Sequence, residues 1–348
     1  MKTIKPSNHI LLEDCQNIAI RDAPWSKLRG KIVLVTGACG FLARHLIRFF
    51  DYLSTANGMA ITVKATTRNP HLASQVYADN ASVKIIDWDL AEPNFSLGAV
   101  DFVIHMASAA SPLLFSKEPL SAISPNTVGT TNVIKSIQID RLENFLYMST
   151  SGVYGFLPDS KRPNSESTFG VFDHTLPESV YLQSKRMGET ISLAWCRSHS
   201  LPATIVRPSI CYGHGVPFND GRSFADFIAA LVLNKNIVLE TDGEAYRNYC
   251  YVSDVVAGIL LVLLKGGIGE AFNLATDDEI KIKNLAYKLV HEVFPDKNLK
   301  VIFRPKKESG SRVQFMRTQV DCSKIKELGW SEFHSINDGF ERTVESYQ

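Results

Sequence analysis

Tyr181 and Lys185 lie four residues apart in Tyr181-Leu-Gln-Ser-Lys185, and on a helix that spacing puts both on one face. A lysine ammonium beside a phenol stabilises the phenolate, moving a hydroxyl of ordinary pKa about 10 towards neutrality. Such a group can give or take a proton at a sugar hydroxyl or ketone while a nicotinamide carries the hydride. Spacing alone is weak support, since most Tyr and Lys residues four apart are merely neighbours on a solvated helix. A second feature supplies the missing partner. Thr36-Gly37-Ala38-Cys39-Gly40-Phe41-Leu42-Ala43 directly follows an apolar run and opens a helical pattern. Glycines at such a turn let the backbone approach a pyrophosphate, which the helix N-terminus attracts. Gly37, Cys39, Gly40, Phe41 and Leu42 are therefore candidates for holding a dinucleotide, with Ala43 standing where a third glycine is replaceable by alanine.

The elements needed to position these groups are legible as alternation. Strands are expected at Ile32–Val35, Ile61–Ala65, Val83–Ile86, Phe102–Ile104, Phe145–Met148 and Ala203–Val206, with helices at Phe41–Leu53, Asn126–Ile137 and Tyr181–Ser198. Short apolar strands alternating with helices imply an α/β fold with a parallel sheet covered on both faces. Residues 1–29 lack this periodicity, and Trp25, after the turn-like Asp22-Ala23-Pro24, is expected to be a packing anchor. Beyond Arg207 the chain becomes irregular and rich in Gly, Pro and Asn, which points to a second lobe. The expected division is an extension over 1–29, a dinucleotide-binding domain over 30–211 with about 249–275, and a lobe from 212–248 and 276–348.

Bulk properties exclude several classes. The 348 residues are 45% hydrophobic and 21% charged, with a formal net charge of +1. That is a globular composition without the basic excess that nucleic acid or an anionic membrane would attract. The longest apolar run, Val255–Leu264, is too short to span a bilayer, and Lys2 and Lys5 are not followed by a signal-peptide core. Cys15, Cys39, Cys196, Cys211, Cys250 and Cys322 show neither CxxC nor metal-ligand spacing. The expectation is a cytoplasmic protein with reduced thiols, no metal, and no nucleic-acid or membrane partner.

The end of the second strand bears on the choice of nicotinamide. An acid there would bond the ribose 2′-hydroxyl of NAD, whereas an arginine suits the 2′-phosphate of NADP. The chain reads Ala65-Thr66-Thr67-Arg68-Asn69, so NADP(H) is favoured and NAD(H) is the alternative. Arg44 is a second candidate phosphate partner. Asp89-Leu90, after the third strand, could meet the adenine, or Asp89 could simply cap a turn.

With these residues assembled, the chain resembles the extended short-chain dehydrogenase/reductase family, in its nucleotide-sugar epimerase/dehydratase branch, from about Gly30 to the C-terminus. The resemblance rests on Thr36-Gly37-x-x-Gly40, His105-Met106-Ala107-Ser108, Asn126-x-x-Gly129-Thr130, Ser149-Thr150-Ser151-Gly152-Val153-Tyr154-Gly155 and Tyr181-x-x-x-Lys185. Arg247-x-x-x-Tyr251-Val252-x-Asp254 and Leu328-Gly329-Trp330 complete it in family order. It implies a Rossmann-type doubly wound sheet, with a smaller C-terminal lobe closing over a nucleoside-diphosphate sugar. It also implies that Thr150 bonds the reacting sugar oxygen, that Tyr181 is the acid/base, and that Lys185 holds the nicotinamide ribose. Ala107 would join the cofactor site. Ser151, Arg247 and Arg312 would contact substrate, the arginines at the diphosphate, with Arg304 competing for the place of Arg312. Asn273, after Phe272, would be structural. A homodimer built on the helices at Asn126–Ile137 and Tyr181–Ser198 is implied by the same likeness.

Departures from the family pattern narrow the chemistry. The 4,6-dehydratases carry an Asp-Glu pair after the threonine, and the sugar-acid decarboxylases keep the glutamate. Here those places hold Ser151 and Gly152, and a glycine has no proton to give. Both reactions are disfavoured unless Glu166 or another acid substitutes. Ile210 stands where many relatives have an asparagine near the substrate phosphates. Cys211 and His214 could form an acid/base pair, although a buried cysteine and a loop histidine are the plainer account. His105, at a core strand end, is expected to be structural. Two reactions at C4 remain: a 4-ketoreductase acting on an NDP-4-keto-6-deoxyhexose, and a 4-epimerase with a tightly held cofactor. The strand end that suits NADP tilts towards the reductase. A non-catalytic dinucleotide sensor is a third class, disfavoured because Thr150, Tyr181 and Lys185 are all kept.

Overall fold

The computed structural model describes residues 8–93, 96–111, 117–158, 163–304 and 316–347. The helices are α1 (Asn8–Ala19), α2 (Phe41–Ala56), α3 (Pro70–Val76), α4 (Pro119–Asn126), α5 (Val128–Lys135), α6 (Pro177–His199), α7 (Ser223–Val232), α8 (Val252–Lys265), α9 (Ile282–Lys288), α10 (Ser323–Glu327) and α11 (Ile336–Glu345). Strands β1 (Ile32–Thr36), β2 (Thr62–Thr67), β3 (Val83–Asp87), β4 (Phe102–His105), β5 (Asn144–Met148), β6 (Ala203–Pro208) and β11 (Ala271–Leu274) form one sheet. Its order is β11-β6-β5-β4-β1-β2-β3, and every neighbouring pair is parallel.

This is a Rossmann-type α/β fold. β1, β4 and β5 are apolar and buried on both faces, as parallel strands sandwiched by helices must be. The run Val255–Leu264, too short for a membrane, lies inside α8, where every residue from Val252 to Leu264 is buried. Among the described residues no helix is long and apolar enough to cross a membrane. The chain order reverses between β1 and β4, which puts a crevice outside the C-terminal ends of those strands.

A smaller set of elements follows β6. β7 (Ile210–Tyr212) pairs with β10 (Tyr249–Tyr251), β8 (Ile237–Leu239) with β13 (Val301–Phe303), and β9 (Tyr246–Arg247) with β12 (Ile280–Lys281). Together with α7, α9 and α11 they enclose an apolar cluster of their own that includes Phe224, Phe227, Leu231, Tyr249 and Phe340. Tyr212 stacks on Phe340 with ring centroids 4.4 Å apart.

Two expectations about helices are corrected. Residues 1–29 are not featureless, because α1 buries Ile10, Asp14 and Ile18 at helical spacing. The pattern was masked by a carboxylate in the middle of the buried face, which pairs with Arg342 of α11 (Nη2–Oδ1 2.9 Å) and accepts from the Tyr251 hydroxyl (3.0 Å). The helix expected over Asn126–Ile137 is divided: α4 ends at Asn126 with Pro125 inside it, and Thr127 breaks the backbone before α5. Trp25 packs edge-on against Phe49 at 5.3 Å and donates to Ala19 O, anchoring the extension.

Candidate active site

The glycine turn is tight for a visible reason. Gly37 has φ +71°, and a Cβ there would lie 2.7 Å from Ala107 Cα. Only glycine lets the β1–α2 turn pass so close to the end of β4. Thr36 Oγ1 locks the same junction by accepting from the amides of Met106 (3.0 Å) and Ala107 (3.1 Å). Gly40 is the N-cap of α2 and offers no side chain to the first-turn amides, so they stay available to an anion. Ala43 is buried. A glycine cradle beside an uncapped helix start fits a dinucleotide pyrophosphate.

The neighbouring cofactor candidates divide. Cys39 Sγ lies 3.4 Å from Thr67 Oγ1 at the end of β2, and Arg68 is exposed beyond it. Phe41 and Leu42 open α2, partly buried. Asp89 is exposed and accepts from Ala91 N (3.0 Å), the turn-capping arrangement. Leu90 is buried, and its carbonyl accepts from Asn132 Nδ2 (2.8 Å).

Thr150 ends the loop after β5, and Tyr181 and Lys185 lie on α6, which starts at Pro177, four residues earlier than the sequence pattern suggests. The Thr150 and Tyr181 hydroxyls are hydrogen-bonded to each other. Burial pushes the Tyr181 phenol up to about 12, against the pull of the Arg222 guanidinium and of Thr150. This corrects the expectation that Lys185 lowers that pKa. Lys185 Nζ instead donates to Met148 O at 2.6 Å and sits 5.2 Å from the Tyr147 ring centroid. Burial lowers its own pKa to about 7, opposed by Glu189. The ammonium is thus turned to the strand backbone, and the cation acting on the phenol comes from elsewhere.

Arg222 was missed because it belongs to no pattern visible along the chain. It precedes α7 in the smaller set of elements and pairs with Asp220 (Nη2–Oδ2 2.8 Å). Burial raises Tyr249 to about 12, and Arg247 and Arg222 both oppose that rise, so the two guanidinium groups share one neighbourhood. Arg247 Nη1 donates to Tyr246 O at 2.6 Å. Ser151 opens the 3-10 turn Ser151–Tyr154 and is partly buried. Arg312 lies outside the described residues. Arg304 is exposed, with its amide bonded to Leu239 O (2.9 Å).

The other motif residues frame the site. Asn126 Nδ2 donates to Ser108 Oγ (3.1 Å) and Ser184 Oγ (3.0 Å), tying the β4 loop to α6. His105 bonds Thr36 Oγ1 (2.8 Å) and Thr130 Oγ1 (3.0 Å), and burial lowers its pKa to about 3, which makes it a neutral structural residue. Asn273 Nδ2 bonds Asn164 O (3.0 Å) and Asp321 O (2.9 Å), so it is structural as well. Glu166 accepts from Asn273 N (2.8 Å) and is occupied there. Cys211 is partly buried in β7, where desolvation pushes its thiol up, and His214 O accepts from His45 Nε2 (2.7 Å). A thiol whose charged form is disfavoured by desolvation fits a structural cysteine.

Comparison with known proteins agrees with this geometry. Residues 33–275 match the NAD dependent epimerase/dehydratase family. UDP-glucuronic acid decarboxylase 2 of Arabidopsis thaliana is 30% identical over 324 residues, covering 92% of this chain and 69% of the relative. The UDP-glucose 4-epimerase of Thermotoga maritima, solved with UDP-glucose, superposes with a TM-score of 0.76 at 24% identity, covering 91% of this chain and 98% of that one. A dTDP-glucose 4,6-dehydratase from Streptomyces venezuelae, solved with NAD, superposes at 0.74 and 24% identity, with 91% and 96% covered.

Proposed function

Because the chain belongs to the NAD dependent epimerase/dehydratase family, we propose that it acts at C4 of a nucleoside-diphosphate sugar, as a 4-ketoreductase of an NDP-4-keto-6-deoxyhexose. The observation that carries this is the end of β2, where Arg68 is exposed and no acid stands to bond a ribose 2′-hydroxyl. A net reduction draws on NADPH, whereas an epimerase regenerates its own cofactor. In the reduction the Tyr181 hydroxyl serves as the acid at the carbonyl oxygen. The relatives named for decarboxylation and dehydration point to other reactions of the same family. Gly152 has no side chain to supply their acid, and Glu166 is bonded to Asn273.

The geometry and the family likeness together support the following roles. Gly37, Gly40 and the start of α2 would hold the pyrophosphate, with Cys39, Phe41, Leu42, Leu90 and Ala107 around it. The nicotinamide supplies hydride chemistry when bound. Thr150 Oγ1 and Tyr181 Oη bond the C4 carbonyl oxygen. Tyr181 passes its proton to that oxygen as alkoxide character develops, and the phenolate left behind is stabilised by Thr150 and the Arg222 guanidinium before solvent reprotonates it. Lys185, anchored to Met148 O, fixes α6 against β5 and would hold the nicotinamide ribose. Arg247 and Arg222 supply positive charge for the diphosphate, with Ser151 at the sugar. Arg68, with no acid at the end of β2, favours NADPH. The protein is read as a homodimer built on α5 and α6.

The test is NADPH consumption by the purified protein with a panel of NDP-4-keto-6-deoxyhexoses. Stoichiometric oxidation should fall by about 10²-fold or more in Tyr181→Phe, the range for losing a general acid. Use of NADH alone would overturn the cofactor assignment. Interconversion of ordinary NDP-sugars without added cofactor would replace the reductase with an epimerase.

A further inference from the structure

Leu182 follows the acid directly, and its side chain occupies an unusual place. A Cβ built on Gly152 would meet Leu182 Cδ2 at 2.5 Å and stand 3.7 Å from Thr150 Oγ1. The space that any side chain at 152 would enter, beside the hydroxyl that addresses the substrate, is therefore filled by a leucine methyl group. Leu182 is partly buried. Among the described residues, it is also absent from the three apolar cores and from the partly buried residues packed against them. The core thus gives no account of why this position is apolar.

From this we propose that Leu182, packed over Gly152, is the residue that selects the sugar: it forms an apolar wall that admits a methyl group at C6 and rejects a hydroxymethyl or a carboxylate there. The proposal rests on the C4 reading above and names the part of the site that would enforce the 6-deoxy class. Thr150 and Tyr181 hold the oxygen on C4, so a wall built by the residue next to Tyr181 and packed on Gly152, two residues from Thr150, faces a substituent on a flanking carbon. C3 ordinarily carries a hydroxyl, which a leucine leaves unbonded. C5 carries the exocyclic carbon, and only its methyl form is complementary to a leucine. A hydroxyl or carboxylate pressed against this wall would lose water without gaining a partner.

The experiment is competitive binding of three nucleoside-diphosphate sugars that share nucleotide and ring configuration and differ only at C6: methyl, hydroxymethyl and carboxylate. The wild type should bind the methyl sugar roughly tenfold or more tighter than the hydroxymethyl sugar, and tighter still than the carboxylate. In Leu182→Ala the methyl-to-hydroxymethyl ratio should fall to within about twofold, and in Leu182→Gln it should invert, because an amide can bond the hydroxyl. A ratio of affinities cancels any loss of folded protein, and the two variants act by different routes. Ratios unchanged in both variants, or a wild type that prefers the carboxylate, would overturn the proposal. Since the readout is binding alone, a protein that reduces no 4-keto sugar yet shows a Leu182-dependent ratio refutes the reductase and leaves the wall standing. A reductase whose ratio ignores Leu182 does the reverse.

Discussion

Lys185 sits where its charge is penalised. Burial lowers its pKa to about 7, against about 10.4 in an unfolded chain. Between those values the unfolded chain binds more protons than the folded protein, so this group makes stability rise with pH across that window. Below pH 7 the lysine is protonated in both states and its full cost is felt. Melting temperatures of wild type and Lys185→Met should therefore converge upwards from the wild-type side: the wild type gains on the variant between pH 7 and pH 10. Parallel curves would show that the lysine titrates as it does in water. At this scale the spacing Tyr181-x-x-x-Lys185 was legible, because i,i+4 is a property of one helix. What each side chain meets was not. Met148 O, Arg222 and Thr150 reach the pair from three other segments, and the cation acting on Tyr181 proved to be Arg222 rather than its helical neighbour.

Helix α1 and the turn after it act as a strap between the sheet and the C-terminal elements. Arg21 pairs with the fully buried Asp254 and donates to Ser331 O (2.7 Å). Asp254 also accepts from the amides of Phe333 (3.0 Å) and His334 (3.1 Å), and its carbonyl takes the Trp330 indole N–H (2.9 Å). Two motifs far apart in the chain thus meet on one residue that the extension neutralises. Removing one partner of a buried pair strands the other charge, at a cost of about 3–5 kcal/mol. Arg21→Ala should lose about that much in denaturant unfolding, and Arg21→Ala/Asp254→Asn should recover part of it. A loss under about 1 kcal/mol, the range of a solvated pair, would remove α1 from this role. The sequence pattern missed the strap because its ionic contacts are long-range, and an acid, Asp14, interrupts the apolar residues of its buried face.

For the whole molecule, the proposed homodimer concerns the outer face of α4, α5 and α6. Leu120 is 73% exposed, Val128 50% and Met187 50%, apolar side chains on adjoining helices that an isologous contact would cover. Sedimentation equilibrium should report a dimer at micromolar concentration, shifted to monomer by Met187→Arg; a monomeric wild type would refute the assembly. The α/β class, the strand positions, the glycine turn and the Tyr181-x-x-x-Lys185 spacing were legible in the sequence, because apolar period, glycine placement and short spacings are local quantities; Thr150 joined them only through the family likeness. Tertiary structure alone decided the rest. It split the helix expected over Asn126–Ile137 and turned residues 8–19 into a helix whose buried acid is answered 328 residues away. It brought Arg222 to Tyr181 and laid Leu182 over Gly152. Each of these depends on which distant segments share a low-dielectric interior, and desolvation there moves the pKa of a buried phenol or ammonium away from its value in water.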